Sequence, residues 1–147
     1  MSTPMQPPLK QPIGFWTARA AEAIGHRTRS ALNDVGVPQP EWWVLHQLSL
    51  DEAGVSEEKI VATVGPNESD AVIHEAIDSL LDKGWIRSAS GTLRWTVAGR
   101  EKFRAAAEVQ QQLEVERRRG ISDDEFITAI TVMQRTIDNV GGYAWHW

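Results

Sequence analysis

The sequence predicts a mainly α-helical fold carrying one small β-hairpin, and three observations support that expectation. Ile73, Ala76, Ile77, Leu80 and Leu81 recur at the three- and four-residue steps of one helical face. That pattern stops at Gly84 and gives way to residues 85–95, rich in strand formers and folded about Ser90 and Gly91. Helical periodicity resumes after Thr96. Helix, hairpin and helix in this order are the parts of a winged helix-turn-helix.

Each element has its own signal. Residues 1–11 are Pro- and Gln-rich and predict disorder. Ile13, Trp16, Ala20, Ile24, Ala31 and Leu32 then place a long first helix over Pro12–Asn33, about 33 Å long at about 1.5 Å per residue. Residues 35–38 break it, and Pro40 suits the first turn of a helix over Pro40–Ser49. Ser56 is placed to cap a short helix, Glu57–Val64, and Gly65, Pro66 and Asn67 form a turn. Ser69–Lys83 follows as the second helix of the helix-turn-helix, closed by Gly84. Thr96 caps a helix reaching about Arg119, where Arg117, Arg118 and Arg119 face its negative end as a solvated terminus. Ser122 and Glu125 make a capping box for the last helix. Its Phe126, Ile130, Met133, Ile137 and Val140 form a narrow seam suited to another helix, and Gly141 and Gly142 stop it.

A chain of 147 residues fits one domain with its own core. The absence of cysteine excludes disulfides and thiolate metal sites and is compatible with the cytosol. No apolar run approaches the roughly 18 residues a membrane span needs, and the first residues do not read as a signal peptide. A soluble, cytoplasmic protein without membrane partners is expected. The net charge of −5 argues against a general polyanion binder, because affinity for nucleic acid comes largely from Lys and Arg neutralising phosphates. Its distribution is more informative. Lys83, Arg87, Arg94, Arg100, Lys102 and Arg104 face only Glu101, whereas Glu68, Asp70, Glu75, Asp78 and Asp82 precede them without a base. A basic wing lies beside an acidic helix.

Catalytic chemistry finds no support. His74, Glu75 and Asp78 resemble half of a zinc-protease helix, but that chemistry needs two histidines four residues apart. There is no Gly-rich phosphate loop and no nucleophile elbow. The expectation is no enzyme, no metal and no cofactor.

Four local strings then carry a family likeness: Pro40–Leu45, Leu80–Ile86, Trp95–Gly99 and Gly120–Glu125. In order and spacing the chain resembles the MarR family of bacterial transcriptional regulators over residues 12–142. The resemblance implies a six-helix homodimer. Residues 12–33 and 97–141 would interlock with a partner, and the lobes at residues 40–96 would lie on a pseudo-palindromic DNA operator. The chain departs from the family pattern twice. The family's wing usually carries an Asp-any-Arg pair; this wing is shorter and offers Arg87 and Arg94 as phosphate or minor-groove contacts. The recognition helix, often furnished with Ser, Thr and Arg, offers Asp70, Ala71, His74 and Glu75, with Asn67 and Ser69 before it. Carboxylates there repel phosphates and accept only from cytosine N4 and adenine N6.

In the family, Trp16, Trp42 and Trp43 would border a cleft for small, often aromatic effectors, with His46 and His26 as polar contacts; core and dimer packing is the competing role. Adjacent helical residues point about 100° apart, so Trp42 and Trp43 are not expected to face one core. Trp85 and Trp95 are expected to face each other or the core at the wing's base. The aromatic tail, residues 143–147, either folds back or is disordered. The function implied is a ligand-responsive, DNA-binding regulator, a repressor. The alternative is a MarR-fold ligand-binding or interaction dimer whose acidic helix docks a basic protein surface.

Overall fold

A computed structural model describes residues 3–143. Its helices are α1 (Ile13–Asp34), α2 (Gln39–Ser49), α3 (Glu57–Val64), α4 (Asp70–Asp82), α5 (Val97–Arg118) and α6 (Asp123–Asn139). Between α4 and α5 lies one antiparallel hairpin, β1 (Ile86–Ala89) and β2 (Thr92–Trp95). A 3-10 turn at Pro8–Lys10 occupies the segment whose composition predicts disorder. Proline fixes φ near the value that turn requires, and the backbone N–H groups of Lys10 and Gln11 donate to Pro7 and Pro8.

The helix boundaries follow local chemistry. Ser56, Ser69 and Ser122 are N-caps whose hydroxyls accept from the backbone N–H of Lys59, Val72 and Glu125. The Ser122 hydroxyl also donates to the Glu125 carboxylate at 3.0 Å. Gly84 ends α4 at φ 72°, and the N–H groups of Gly84 and Trp85 return to the carbonyls of Leu81 and Leu80. This is a Schellman closure, for which a residue without Cβ is suited. Ser90 and Gly91, at φ 52° and 78°, make the two-residue turn of the hairpin. Positive φ at both positions matches the right-handed twist of the flanking strands.

The chain divides into two compact units between Gln110 and Gln111. In the first, α2, α3 and α4 surround a core of Val44, Leu45, Leu48, Ile60, Val61, Val64, Ile73, Ala76, Ile77 and Leu80. The end of α1 adds Leu32, the wing adds Ile86 and Leu93, and α5 adds Ala106. Val55, in the loop before α3, exchanges both backbone hydrogen bonds with Leu93 at 3.0 and 2.8 Å, tying the wing to the helix-turn-helix. Gly99 is held so closely against Trp85 that a Cβ there would overlap the Trp85 carbonyl oxygen. Leu81, whose spacing predicts the buried face, remains exposed. At 100° per residue it lies about 80° from Ile73, at the edge of the stripe.

In the second unit, Arg117 and Arg118 bind Glu114, and Arg118 also binds Asp123 and lies 4.0 Å from the Phe126 ring centre. Where a solvated terminus is expected, Arg117 and Arg118 instead pair with Glu114 within α5 and Arg118–Asp123 alone joins α5 to α6, while Arg119 stays exposed. No residue of α6 is buried; Ile130, Ile137 and Val140 of its apolar seam are exposed, and Phe126 and Met133 are half-buried. Among the described residues no helix is long and apolar enough to cross a membrane. Of the aromatic tail, Tyr143 is exposed, and residues 144–147 lie outside the described residues.

Candidate nucleic-acid interface

Helix α4 buries Ile73, Ala76, Ile77 and Leu80 and turns Ala71, His74, Glu75, Asp78 and Asp82 outward. The sequence alternates these two sets at helical spacing, so burying one face presents the other. Asn67 is exposed in a 3-10 turn, Gly65–Asn67. Ser69 is spent in part on capping, since its oxygen accepts from Val72 N–H at 3.2 Å. Asp70 lies in the first turn, where a negative charge complements the helix dipole. Its carboxylate leaves no room for a side chain at Gly65. His74 reaches back to α3, its Nδ1 2.9 Å from Glu57 Oε1. Glu75 is exposed.

On the wing, Arg87 and Arg94 are direct cross-strand partners and both are exposed. Like charges at opposed positions cost stability, and here they leave two cationic side chains side by side on the exposed hairpin. The Arg94 side chain runs over Gly54, where an added Cβ would come 3.0 Å from its Cγ and 3.1 Å from its Nε. The other basic residues of this stretch are largely engaged. Lys83 and Lys102 place Nζ 4.7 and 5.2 Å from the Trp85 ring centre, and Arg100 lies 5.4 Å from that of Trp95. A ring contact leaves the charge of Lys83, Lys102 and Arg100 in place and Arg104 on α5 is also exposed, so Arg87 and Arg94 are the positive charges of the hairpin itself within a wider basic stretch.

Two contacts hold this surface from behind. Glu41 on α2 is 3% exposed and accepts from Lys83 Nζ at 2.8 and 3.0 Å and from Ser79 Oγ at 3.0 Å, fixing the end of α4. Beside it, His46, Trp42, Phe103 and Trp95 form a continuous aromatic row. Trp42 stacks on Phe103 at 5.3 Å and 4° between planes, Trp95 meets Phe103 at 5.0 Å, and His46 meets Trp42 at 5.5 Å. Burial holds the His46 imidazole below the usual histidine value, so the neutral ring is favoured.

The structure gathers the sequence-predicted residues unevenly. Asn67, Ser69, Asp70, Ala71, His74 and Glu75 share the exposed side of the helix-turn-helix, and Arg87 and Arg94 share the hairpin. Trp42 and His46 are neighbours, and Trp42 and Trp43, not expected to face one core, are both half-buried against it, with Trp42 stacked on Phe103 of α5. Trp16 stands apart near the start of α1, 44% exposed and edge-on to Phe15. It lies 12 residues, about 18 Å along the helix, before Thr28, the first buried residue of α1. His26 is exposed on α1. Trp85 and Trp95 do not oppose each other: the partner of Trp95 is Ile86. The strand begins one residue later than a Trp85–Trp95 pair requires, and each indole packs against the core with a cation beside it. Sequence reading missed Glu41, Glu57 and Phe103. Glu41 offered one signal, a carboxylate on the helical face shared with Val44, Leu45 and Leu48.

The architecture is that of a winged helix-turn-helix protein. No protein-family model matches the chain, and no curated protein matches it in sequence. Solved structures do match. A MarR family transcriptional regulator from Silicibacter pomeroyi has 18% identity and a TM-score of 0.74, covering 87% of this chain and 92% of its own. CouR from Rhodococcus jostii RHA1, bound to p-coumaroyl-CoA, has 20% identity and a TM-score of 0.71, covering 97% and 100%. A Mycobacterium tuberculosis MarR family protein in complex with DNA has 17% identity and a TM-score of 0.66, covering 90% and 100%. The chain has the fold of the MarR-family transcriptional regulators.

Proposed function

We propose that the protein is a DNA-binding transcriptional regulator, a repressor, that acts as a homodimer on a pseudo-palindromic operator. The observation that carries this reading is the exposed Arg87–Arg94 pair on a hairpin beside the exposed face of α4. In such a module the helix lies in the major groove while the wing contacts the backbone or minor groove. The apolar residues left exposed on α1 (Ile13, Phe15, Trp16, Ile24) and on α6 (Ile130, Ile137, Val140) support pairing with a second copy. Two-fold symmetry would then demand two half-sites about one helical turn apart. The solved DNA complex of a protein with this fold supports the same reading.

A small aromatic effector would bind near Trp42, Trp43 and His46, with Trp16 as a further contact, and the ligand-bound structure of CouR supports effector control. Such a ligand would act through unequal affinity for two arrangements of the lobes. Titration with a panel of aromatic acids and acyl-CoA esters should quench tryptophan fluorescence and raise the melting temperature for at least one compound. No response across the panel would remove the effector from this reading.

The deciding experiment is binding to fragments of the source genome over a salt series with excess competitor DNA. Saturable, salt-sensitive binding that Arg94→Glu abolishes supports the regulator. A second reading, a MarR-fold interaction dimer, is favoured by the carboxylates of Glu75, Asp78 and Asp82 on α4. It predicts that Arg94→Glu changes little and that Glu75→Arg breaks a protein contact instead of strengthening DNA binding.

A further inference from the structure

The contact between Glu57 and His74 determines what α4 can read. An ionised carboxylate only accepts hydrogen bonds, so at 2.9 Å from Glu57 Oε1 the His74 Nδ1 must be the donor. A neutral imidazole with its hydrogen on Nδ1 has an acceptor at Nε2. The His74 side chain is 54% exposed, so this acceptor belongs to the outer surface of the helix-turn-helix. The next residue, Glu75, is also exposed and adds two acceptor oxygens, and Ala71, one turn earlier, exposes only a methyl group. With that ring neutral, the middle of the α4 outer face offers acceptors and no side-chain donor. Base edges in the major groove that complement acceptors are the exocyclic amino groups, adenine N6 and cytosine N4; the guanine edge carries only acceptors there.

Resting on the DNA-binding reading above, we propose that His74 and Glu75 are specificity-determining residues that accept hydrogen bonds from exocyclic amino groups of the operator. Glu57 is the positioning residue that fixes the His74 tautomer. The work of binding is then divided: Arg87 and Arg94 supply attraction to phosphates, and α4 supplies selection at the cost of some repulsion. A half-site carries adenine or cytosine on the strand facing His74 and Glu75, and guanine at the same place is rejected because two sets of acceptors would meet.

The test uses the full chain at pH 8. Bound duplexes are selected from a random library. Each adenine of the selected half-site is then replaced in turn by purine, and each cytosine by 2-pyrimidinone, which removes the amino group alone. The wild type should lose about tenfold in affinity at one or two positions, and the analogue that causes the loss identifies the base. In Glu75→Ala or His74→Ala that loss should shrink to about twofold or less. Glu57→Ala should weaken the loss assigned to His74, and Glu57→Gln, whose amide oxygen still accepts from Nδ1, should restore it. Glu75→Ala should also bind random DNA more tightly than wild type while discriminating less, a pair of opposite changes that a purely structural role would not produce. The substitutions at Glu57, His74 and Glu75 all lie at exposed residues, and equal melting temperatures confirm folding. Specific binding with no analogue loss relieved by these variants overturns the proposal and leaves the DNA-binding reading standing. Failure of the wild type to retain any specific DNA overturns both.

Discussion

Replacing Lys83 by methionine tests the contact that joins α2 to the end of α4. The Glu41 carboxylate is buried and receives three hydrogen bonds, two of them from Lys83 Nζ. Methionine keeps much of the aliphatic stem near Trp85 but removes the cation, so the carboxylate retains only the bond from Ser79. Stripping one partner from a fully buried ion pair costs about 3–5 kcal/mol, because the other charge is left desolvated. The Lys83 side chain is 37% exposed, so water replaces part of what is lost. Discounted for that screening, the expected cost is about 2 kcal/mol, or about 4–8 °C in melting temperature for a chain of this size. Glu41→Leu combined with Lys83→Met removes both charges together, and the double variant should lie within about 1 kcal/mol of wild type. Urea unfolding followed by circular dichroism measures Lys83→Met, Glu41→Leu alone and the double variant, at one protein concentration because dimerisation would couple stability to it. A Lys83→Met variant within about 0.5 kcal/mol of wild type, or a double variant no better than the worse single one, would refute the reasoning.

Other outcomes follow from the same packing. Gly99→Ala should destabilise by about 2–3 kcal/mol, since the new Cβ overlaps the Trp85 carbonyl, and a melting temperature unchanged from wild type would contradict that approach. His46 makes stability pH-dependent: burial lowers its folded value, so the unfolded chain binds more protons in mild acid. Its contribution is complete above about pH 6.5, the unfolded value, and is lost as the pH falls through that value toward the folded one. Urea midpoints should therefore fall less steeply in His46→Gln, and an identical pH profile would count against desolvation as the cause. On α6, Ile130→Glu places a charge in the exposed apolar seam and should shift sedimentation from dimer toward monomer with the helix content retained. Unchanged sedimentation of a dimer would place the subunit interface elsewhere.

Most of the fold is legible in the chain because its determinants are local. Capping serines at 56, 69 and 122, glycine at 84 and the Ser90–Gly91 turn act within a few residues, and the helix ends observed differ from those expected by at most about two residues. The exposed face of α4 is legible too, because burial of Ile73, Ile77 and Leu80 dictates which residues remain outside. Contacts between elements are less legible. Nothing adjacent to Glu41 announces that Lys83, 42 residues away, will neutralise it. The same holds for Phe103, which completes the aromatic row only because α5 crosses beside α2. Which of its two expected places Trp85 takes was open for a related reason: opposition to Trp95 depended on a strand register that shifts by one residue, and the core is the place it takes.

The sequence by itself determined the order of helices, the wing and the contrast between a basic hairpin and an acidic helix, since periodicity, caps and charge are written residue by residue. Tertiary structure alone decided which charges remain available. Packing seats Lys83, Lys102 and Arg100 on tryptophan faces, draws Glu41 inside and turns His74 toward Glu57. The physical reason is that a side chain's electrostatic role depends on the partners and solvent around it, and those are set by elements distant in sequence that meet only when the chain folds.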